Sequence, residues 1–176
     1  SPPRSQAARA ESDHRRGYKV RRMAVKAFFT KDFWANAPIP EAFVAALSLG
    51  GALHALVARP IARDARAPRA GGVALLPLGL GLIAWAMAAA RHIHIDRPTA
   101  LVTHGPYALS RNPMYVGWWL SGLGLSLLAN SRWLLGATGA AGLYYHLHDI
   151  PSEEESLLSQ FGEEYESYRR RTRRYL

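Results

Sequence analysis

One stretch of the chain limits the possible folds more than any other. Residues 70–90, AGGVALLPLGLGLIAWAMAAA, contain no charged side chain over 21 positions. At about 1.5 Å of rise per residue, a helix of this length spans a bilayer hydrocarbon core of about 30 Å. An uncharged block of this length is unusual in a soluble core. It therefore predicts a transmembrane helix over residues 70–90, with a soluble bundle of very apolar helices as the alternative.

A second long apolar block, residues 113–145, contains a single charged side chain, Arg132. One helix of this length would measure about 50 Å, which is too long for a single crossing. The polar cluster Asn130-Ser131-Arg132 is a suitable turn, so we expect the block to fold back there as a short helical hairpin. A shorter block, residues 39–58, adds one more helix. The predicted transmembrane helices are therefore 39–58, 70–90, 114–129 and 133–148.

The positive charges predict how these helices are oriented. Seventeen of the 22 Lys and Arg residues fall on the side that carries the N-terminal segment, the loop 91–113 and the C-terminal tail. Under the positive-inside tendency this side is cytoplasmic. Residues 1–37 are basic, have few large apolar side chains, and are predicted to be disordered. The remaining chain, 38–176, is predicted to form one membrane domain, and attraction to anionic headgroups explains the net charge of +9 without nucleic acid.

The C-terminal tail has the pattern of an amphipathic helix over residues 152–170. Ser152 and Glu155 have the spacing of a capping box, and large apolar side chains then recur on one helical face. At about 100° per residue, Glu154 projects from the centre of that face and Glu153 lies at its border. An inward carboxylate needs a partner. That partner is either an arginine such as Arg111, or a cationic or hydroxyl-bearing ligand.

The loop 91–113 supplies complementary groups. Gly105-Pro106 suggests a turn, and Arg111 offers a planar fork that can hold a carboxylate or phosphate through two hydrogen bonds. Asn112 is a suitable N-cap, and Pro113 suits the first turn of the following helix. The alternative for Arg111 is an arginine that reaches lipid headgroups beside an ordinary helix start.

Taken together, LVTHGPYALSRNPMYVGWW and EEESLLSQFGEEYESYRRR resemble the membrane methyltransferases of the isoprenylcysteine carboxyl methyltransferase and phospholipid methyltransferase type. The matching pattern is Gly-Pro-Tyr, then Arg-(His or Asn)-Pro-x-Tyr-x-Gly at the start of a helical hairpin, then Glu-Glu and Phe-Gly-x-x-Tyr-x-x-Tyr-x-x-Arg. The similarity extends from about residue 98 to residue 176. Asn112 stands where the prenylcysteine enzymes have histidine.

The resemblance implies an all-α integral membrane enzyme of about four transmembrane helices, with a C-terminal amphipathic helix. It implies transfer of a methyl group from S-adenosylmethionine to a lipophilic or small acceptor, through a carboxyl, thiol or amine group, at the cytoplasmic membrane face. Arg111 and Glu154 are the predicted catalytic residues. The residues predicted to bind the cofactor are His104, Gly105, Tyr107, Arg111, Asn112, Pro113, Tyr115, Glu153 and Glu154.

The chemistry of this cofactor suits those side chains. Arg111 and the N–H groups of a helix start suit its carboxylate, and Glu153 or Glu154 suits its amino group or ribose hydroxyls. Tyr107 or Tyr115 could lie near the sulfonium. Methyl transfer depends mainly on alignment, with deprotonation when the acceptor is an amine or thiol.

Three other functions are compatible with parts of the sequence. Membrane reductases of sterols and related lipids are similar in their C-terminal half and use NADPH. A membrane scaffold without catalytic activity would bind neither cofactor. Histidines and acids such as His92, His94 and Asp96 suggest a metal, but no His-x-x-x-His pair occurs and we predict no metal site. The absence of cysteine excludes thiolate ligands and cysteine nucleophiles.

Overall fold

A computed structural model describes residues 40–91 and 99–176. The predictions for residues 1–37, and for His92, His94 and Asp96, lie outside these ranges. The described residues are helical and form no strand, which confirms the all-α class. The helices are α1 (Glu41–Leu56), α2 (Arg66–Ala90), a 3₁₀ turn (Gly105–Ala108), α3 (Pro113–Leu128), α4 (Arg132–Tyr144), a π-helical turn (Tyr145–Asp149), α5 (Ile150–Phe161) and α6 (Glu163–Arg171).

The four long helices pack as neighbours in the order α2, α3, α4 and α1. Helix α2 packs along α3, α3 and α4 form the hairpin, and α1 covers α4. Since consecutive helices alternate in direction, the start of α1, the end of α2, the start of α3 and the end of α4 lie at the same end of the bundle. This end carries the candidate site.

Glycines allow α2 and α3 to approach closely. A Cβ atom on Gly79 would lie 2.6 Å from the carbonyl oxygen of Gly117, and one on Gly124 would lie 2.5 Å from the backbone nitrogen of Leu76. Small residues at such crossings are typical of helices that pack in lipid, where close van der Waals contact replaces the hydrophobic effect. The closest helix pair of the bundle therefore depends on the absence of side chains.

The opposite end of the bundle is closed by the hairpin turn. Asn130 has a positive φ of 48°, and its side chain exchanges hydrogen bonds with the backbone N–H and C=O of Ala62 at 3.1 and 2.9 Å. Ser131 caps α4 by accepting from the N–H of Leu134. The backbone N–H of Arg132 donates to the carbonyl of Arg59 at 2.9 Å. These bonds fasten the connection between α1 and α2 to the turn.

Among the described residues, one helix, α2, is long and apolar enough by itself to cross a membrane, and α1 is a shorter apolar helix. The count of four transmembrane helices stays a prediction. The start of α2 at Arg66 lies before the predicted residue 70, because Arg66 and Arg69 occupy its first turn and the apolar block follows them.

The C-terminal tail differs from the single helix predicted over residues 152–170. Helix α4 continues through the π-helical turn into α5, so Ser152 lies inside a helix and caps nothing. Helix α5 ends at Phe161. The next residue is Gly162, whose φ of 51° and ψ of −121° suit glycine, and α6 begins after it. The capping-box prediction was therefore wrong, because the helix is continuous from α4 into α5 and has no free N–H groups at Ser152 for a side chain to cap.

Candidate functional site

The candidate site lies where the 3₁₀ turn, the start of α3 and helix α5 meet at one end of the bundle. Gly105 opens the turn with a φ of 62°, a conformation that glycine adopts without strain. Its position faces Ala89 and Trp85 near the end of α2. The turn then carries the chain to Ser110, which is fully buried, and on to Arg111.

Glu154 is held between two arginines. Its Oε1 lies 3.2 Å from Nη2 of Arg111. The guanidinium of Arg174 also donates to it, from Nε to Oε1 at 3.1 Å and from Nη2 to Oε2. The Glu154 side chain is only 12% exposed. The structure thus joins the two residues that the sequence predicts to be catalytic, and it adds Arg174.

The Arg111 guanidinium has hydrogen-bonding capacity to spare. Its Nε and Nη1 atoms are buried and have no hydrogen-bond partner among the described residues. Leaving buried donors unsatisfied is costly. The backbone N–H of Arg111 donates to the carbonyl of Arg173 at 2.8 Å, which fixes the start of the side chain. The backbone of Arg111 is therefore fixed, and two nitrogens of its guanidinium lack a hydrogen-bond partner among the described residues.

Asn112 has the N-cap position of α3, but its side chain does not cap the helix. Its Nδ2 instead donates to the carbonyl of Arg174 at 3.2 Å, and Ser110 Oγ donates to the same carbonyl at 3.1 Å. The predicted capping role of the Asn112 side chain was wrong because the C-terminal segment competes for it. Asn112 thereby helps to attach that segment beside Arg111.

Glu153 has different surroundings from Glu154. None of the described arginines is paired with it, and its Oε2 accepts a hydrogen bond from the Tyr115 hydroxyl at 3.3 Å. Glu153 is an exposed residue, but protein atoms surround its carboxyl group, and this desolvation raises the pKa of Glu153 above its ordinary 4.5; the Tyr115 hydrogen bond opposes the rise, and the charges of Asp149 and Glu154 add to it. This carboxyl group is thus the one left available to a ligand.

Two cavities open onto these residues. The first, the aromatic cavity, has a volume of about 550 Å³ and is walled by rings that include Trp118, Tyr144 and Tyr145. The second, the loop cavity, has a volume of about 420 Å³ and is walled partly by the aliphatic side chains of Leu101, Val102 and Leu157. Five residues line both and are called the shared wall: Tyr107, Arg111, Tyr115, Asp149 and Glu153.

Tyrosines of α6 support the shared wall from behind. The Tyr168 hydroxyl donates to the carbonyl of Tyr107 at 2.7 Å, and burial raises the pKa of Tyr168 to about 12. Tyr165 is almost fully buried, and burial also raises its pKa. Both phenols therefore stay protonated at neutral pH, and Tyr168 supports Tyr107 through its hydrogen bond.

The predicted cofactor residues do not all reach the cavities. Tyr107, Arg111, Tyr115 and Glu153 line both, whereas Asn112 and Pro113 line the aromatic cavity only. Three residues line neither of these cavities: His104, Gly105 and Glu154.

Sequence reasoning missed two members of the site. Arg174 lies in the basic run RRRTRRYL, part of the positive charge that headgroup attraction is expected to explain. The one sequence signal for its role is the excess of arginines in the same tail as the inward Glu154. Asp149 is not among the predicted cofactor residues, yet it belongs to the shared wall. Across residues 40–91 and 99–176, no three metal-binding side chains cluster. His146 is instead paired with the Tyr175 hydroxyl at 2.6 Å.

Comparison with known proteins identifies curated relatives of this chain. A protein-S-isoprenylcysteine O-methyltransferase of Tribolium castaneum is 38% identical over 68 residues, which are 39% of this chain and 24% of the relative. The Mus musculus protein of the same name is 39% identical over 72 residues, or 40% of this chain and 25% of the relative. The chain thus matches about a quarter of the length of these curated relatives.

A family model described as phospholipid methyltransferase matches residues 68–164. The match begins in α2, includes the shared wall and ends in the first turn of α6. It includes Arg111, Glu153 and Glu154, and it covers more than half of the chain. The chain therefore belongs to the phospholipid methyltransferase family.

Proposed function

We propose that this protein transfers a methyl group from S-adenosylmethionine to a lipophilic or small acceptor at the membrane surface. The observation that carries the proposal is the shared wall, where a free carboxyl group and an arginine with two unused donors separate two cavities. The family relationship and the apolar helices support it. The curated relatives carry the name of an O-methyltransferase, and their match to this chain lies in one part of their length.

The residues present fit this cofactor. The unpartnered Nε and Nη1 of Arg111 suit its carboxylate, and the Glu153 carboxylate suits its amino group or a ribose hydroxyl. The two cavity volumes fall within the usual range of about 300–1,000 Å³ for small-molecule sites. When bound, the cofactor supplies an electrophilic methyl group on a sulfonium that leaves as a neutral thioether. Arg111 and Glu153 would hold it, and the tyrosine rings would exclude water.

The two cavities suggest separate binding sites for the cofactor and the acceptor. One holds the cofactor and the other holds the reacting group of the acceptor, so that the two meet across the shared wall. Alignment of this kind is the main contribution that an enzyme can make to a displacement with a good leaving group. The Trp118, Tyr144 and Tyr145 rings and the aliphatic residues of the loop cavity give both partners an apolar enclosure.

The charges of the walls favour an amine or thiol acceptor over a carboxyl group. Three carboxyl residues, Glu41, Asp149 and Glu153, line the aromatic cavity, and its one arginine, Arg111, is the group proposed to hold the carboxylate of the cofactor. An incoming carboxylate would meet like charge, whereas an ammonium group would be attracted. Glu153 or Asp149 could then accept the proton that the acceptor must lose.

The same charges disfavour NADPH, the cofactor of the reductase alternative. Its phosphates need several positive side chains, and among the described residues the shared wall has one arginine against two acids. Parallel titration with both cofactors separates the two functions.

Calorimetric titration of the full chain in detergent with S-adenosylmethionine tests the proposal. We expect binding, and we expect Glu153→Gln to weaken it about tenfold, because a charge-assisted hydrogen bond is worth roughly 1.5–3 kcal/mol. Glu155→Gln is the matched control, since Glu155 lies two positions further along α5, is exposed, and lines neither cavity. Equal affinities in both variants, or binding of NADPH alone, would contradict the proposal.

A further inference from the structure

A groove lies between α1 and α4, away from the candidate site. Its volume is about 700 Å³, and its walls are apolar, formed by Ala46, Leu49, Leu53, Gly136, Ala137 and Ala140. It reaches toward the end of the bundle that carries the hairpin turn. From residue 132 to residue 140 of α4, the groove extends about 12 Å along the helix axis.

Two arginines line the groove where it meets this end. Arg59 follows α1 and Arg132 begins α4, and their backbones are joined by the hydrogen bond from Arg132 N–H to the Arg59 carbonyl at 2.9 Å. Both side chains are exposed, and neither forms an ion pair or side-chain hydrogen bond within residues 40–91 and 99–176. Two positive groups are thus placed together without an acid between them.

An aromatic residue marks the same level of the bundle. Trp133 lines the groove, is 37% exposed, and donates from its indole nitrogen to the Val57 carbonyl at 2.8 Å. Tryptophan at the end of an apolar helix is typical of the interface between lipid tails and headgroups. Toward the hairpin turn, the groove is lined by the two arginines. Toward the middle of the bundle, its lining is apolar.

We propose that the groove binds one anionic phospholipid, with an acyl chain between α1 and α4 and the phosphate between Arg59 and Arg132. The charge complementarity is specific to this occupant, because a zwitterionic lipid brings its own cation to the pair of arginines. Arginine pairs bind phosphate well, since each guanidinium presents two parallel donors. The site is separate from the shared wall, and the proposal does not depend on methyl transfer.

Glycines of α4 provide a matched pair of variants that probe the acyl chain. A Cβ atom on Gly136 or on Gly139 would meet nothing within 4 Å, so both positions accept a larger side chain without a clash. Of the two, Gly136 lines the groove and Gly139 does not. Gly136→Leu therefore fills the groove, and Gly139→Leu places the same side chain elsewhere on α4.

Native mass spectrometry of the full chain in detergent, with phosphatidylglycerol or phosphatidylcholine added, tests the proposal. We expect one phosphatidylglycerol per protein, and about tenfold weaker retention in the Arg59→Gln, Arg132→Gln double variant. Arg63→Gln, in the same connection but outside the groove, should retain it. Gly136→Leu should lose the lipid while Gly139→Leu keeps it.

Three results would overturn the proposal. Equal retention of both lipids would make the groove an ordinary lipid-facing surface. A dimer that Gly136→Leu dissociates would identify a second copy as the occupant. Binding of phosphatidylglycerol only after removal of residues 1–37 would identify the N-terminal segment as the occupant.

Discussion

At the level of single residues, the two neighbouring glutamates of α5 have separate tasks. Glu154 pairs with both Arg111 and Arg174 and links the tail to the loop, while Glu153 lines both cavities and is bonded by Tyr115 alone of the described side chains. An acid that two arginines already satisfy has little left to offer a ligand. The predicted catalytic role of Glu154 thus becomes a proposal for a positioning residue, and Glu153 is the better candidate for contact with the cofactor.

The raised pKa of Glu153 predicts a pH dependence. In the unliganded protein, this group contributes stability below the unfolded value of 4.5, and the contribution is lost as pH rises through the folded pKa. Binding of a cation has the opposite dependence, because it needs the ionised carboxylate. We therefore expect affinity for S-adenosylmethionine to increase as pH rises through this range, with release of a proton.

Calorimetry in buffers of different ionisation enthalpy measures that proton directly. Glu153→Gln should abolish its release, and Glu155→Gln should not. A wild-type affinity that is independent of pH would show that Glu153 is already ionised in the free protein or is not in contact with the cofactor.

Among the helices, the contact between α2 and α3 depends on glycine. A Cβ atom on Gly79 would approach Ser121 Oγ at 2.5 Å and the Gly117 carbonyl oxygen at 2.6 Å, and the carbonyl cannot move aside as a side chain can. We expect Gly79→Ala to destabilise the fold by about 1–3 kcal/mol through overpacking. Thermal unfolding in detergent measures this as a lower Tm.

Gly81 provides the control for this prediction. It lies on the same helix, and a Cβ atom there would meet nothing within 4 Å. Since alanine is favoured over glycine in a helix by about 1 kcal/mol, Gly81→Ala should be neutral or slightly stabilising. Equal loss of stability in both variants would mean that the close approach of α2 to α3 is unimportant.

For the molecule as a whole, the last five residues complete the site. The carbonyls of Arg173 and Arg174 accept hydrogen bonds from the loop that carries Arg111, and the Arg174 guanidinium holds Glu154. Tyr175 adds contacts with Trp119 and His146. This short segment joins the loop, the hairpin and α5.

Deletion of residues 172–176 should therefore abolish binding of S-adenosylmethionine without unfolding the bundle. The reason is that Arg111 and Glu154 lose their supports, while the contacts of α1 to α4 with one another remain and the bundle loses only the packing of Tyr175 against it. Circular dichroism measures the helices and calorimetry measures binding. Deletion of Leu176 alone, which is 67% exposed, is the control. Unchanged affinity in the longer deletion would contradict the supporting role of the segment.

Much of the helical architecture was predictable because its signals are local. An uncharged block of 21 residues, a polar break at 130–132 and the period of the tail each follow from neighbouring residues. The pairing of Arg111 with an acid of α5 also followed from helical geometry, which directs Glu154 inward. Helix boundaries were harder to predict, because the π-helical turn carries α4 into α5 and removes the helix start expected at Ser152.

The amino-acid pattern thus established an apolar helical protein with one arginine and one inward acid at the same end, and the comparisons confirmed the family. Three-dimensional packing established which acid faces a cavity, why Asn112 leaves its helix uncapped, and that Arg174 completes the site. The physical reason is distance along the chain: the Arg174 contacts join residues 20 to 64 positions apart. A helical period gives the direction of a side chain from its own axis, whereas the groups that it meets depend on how distant helices pack.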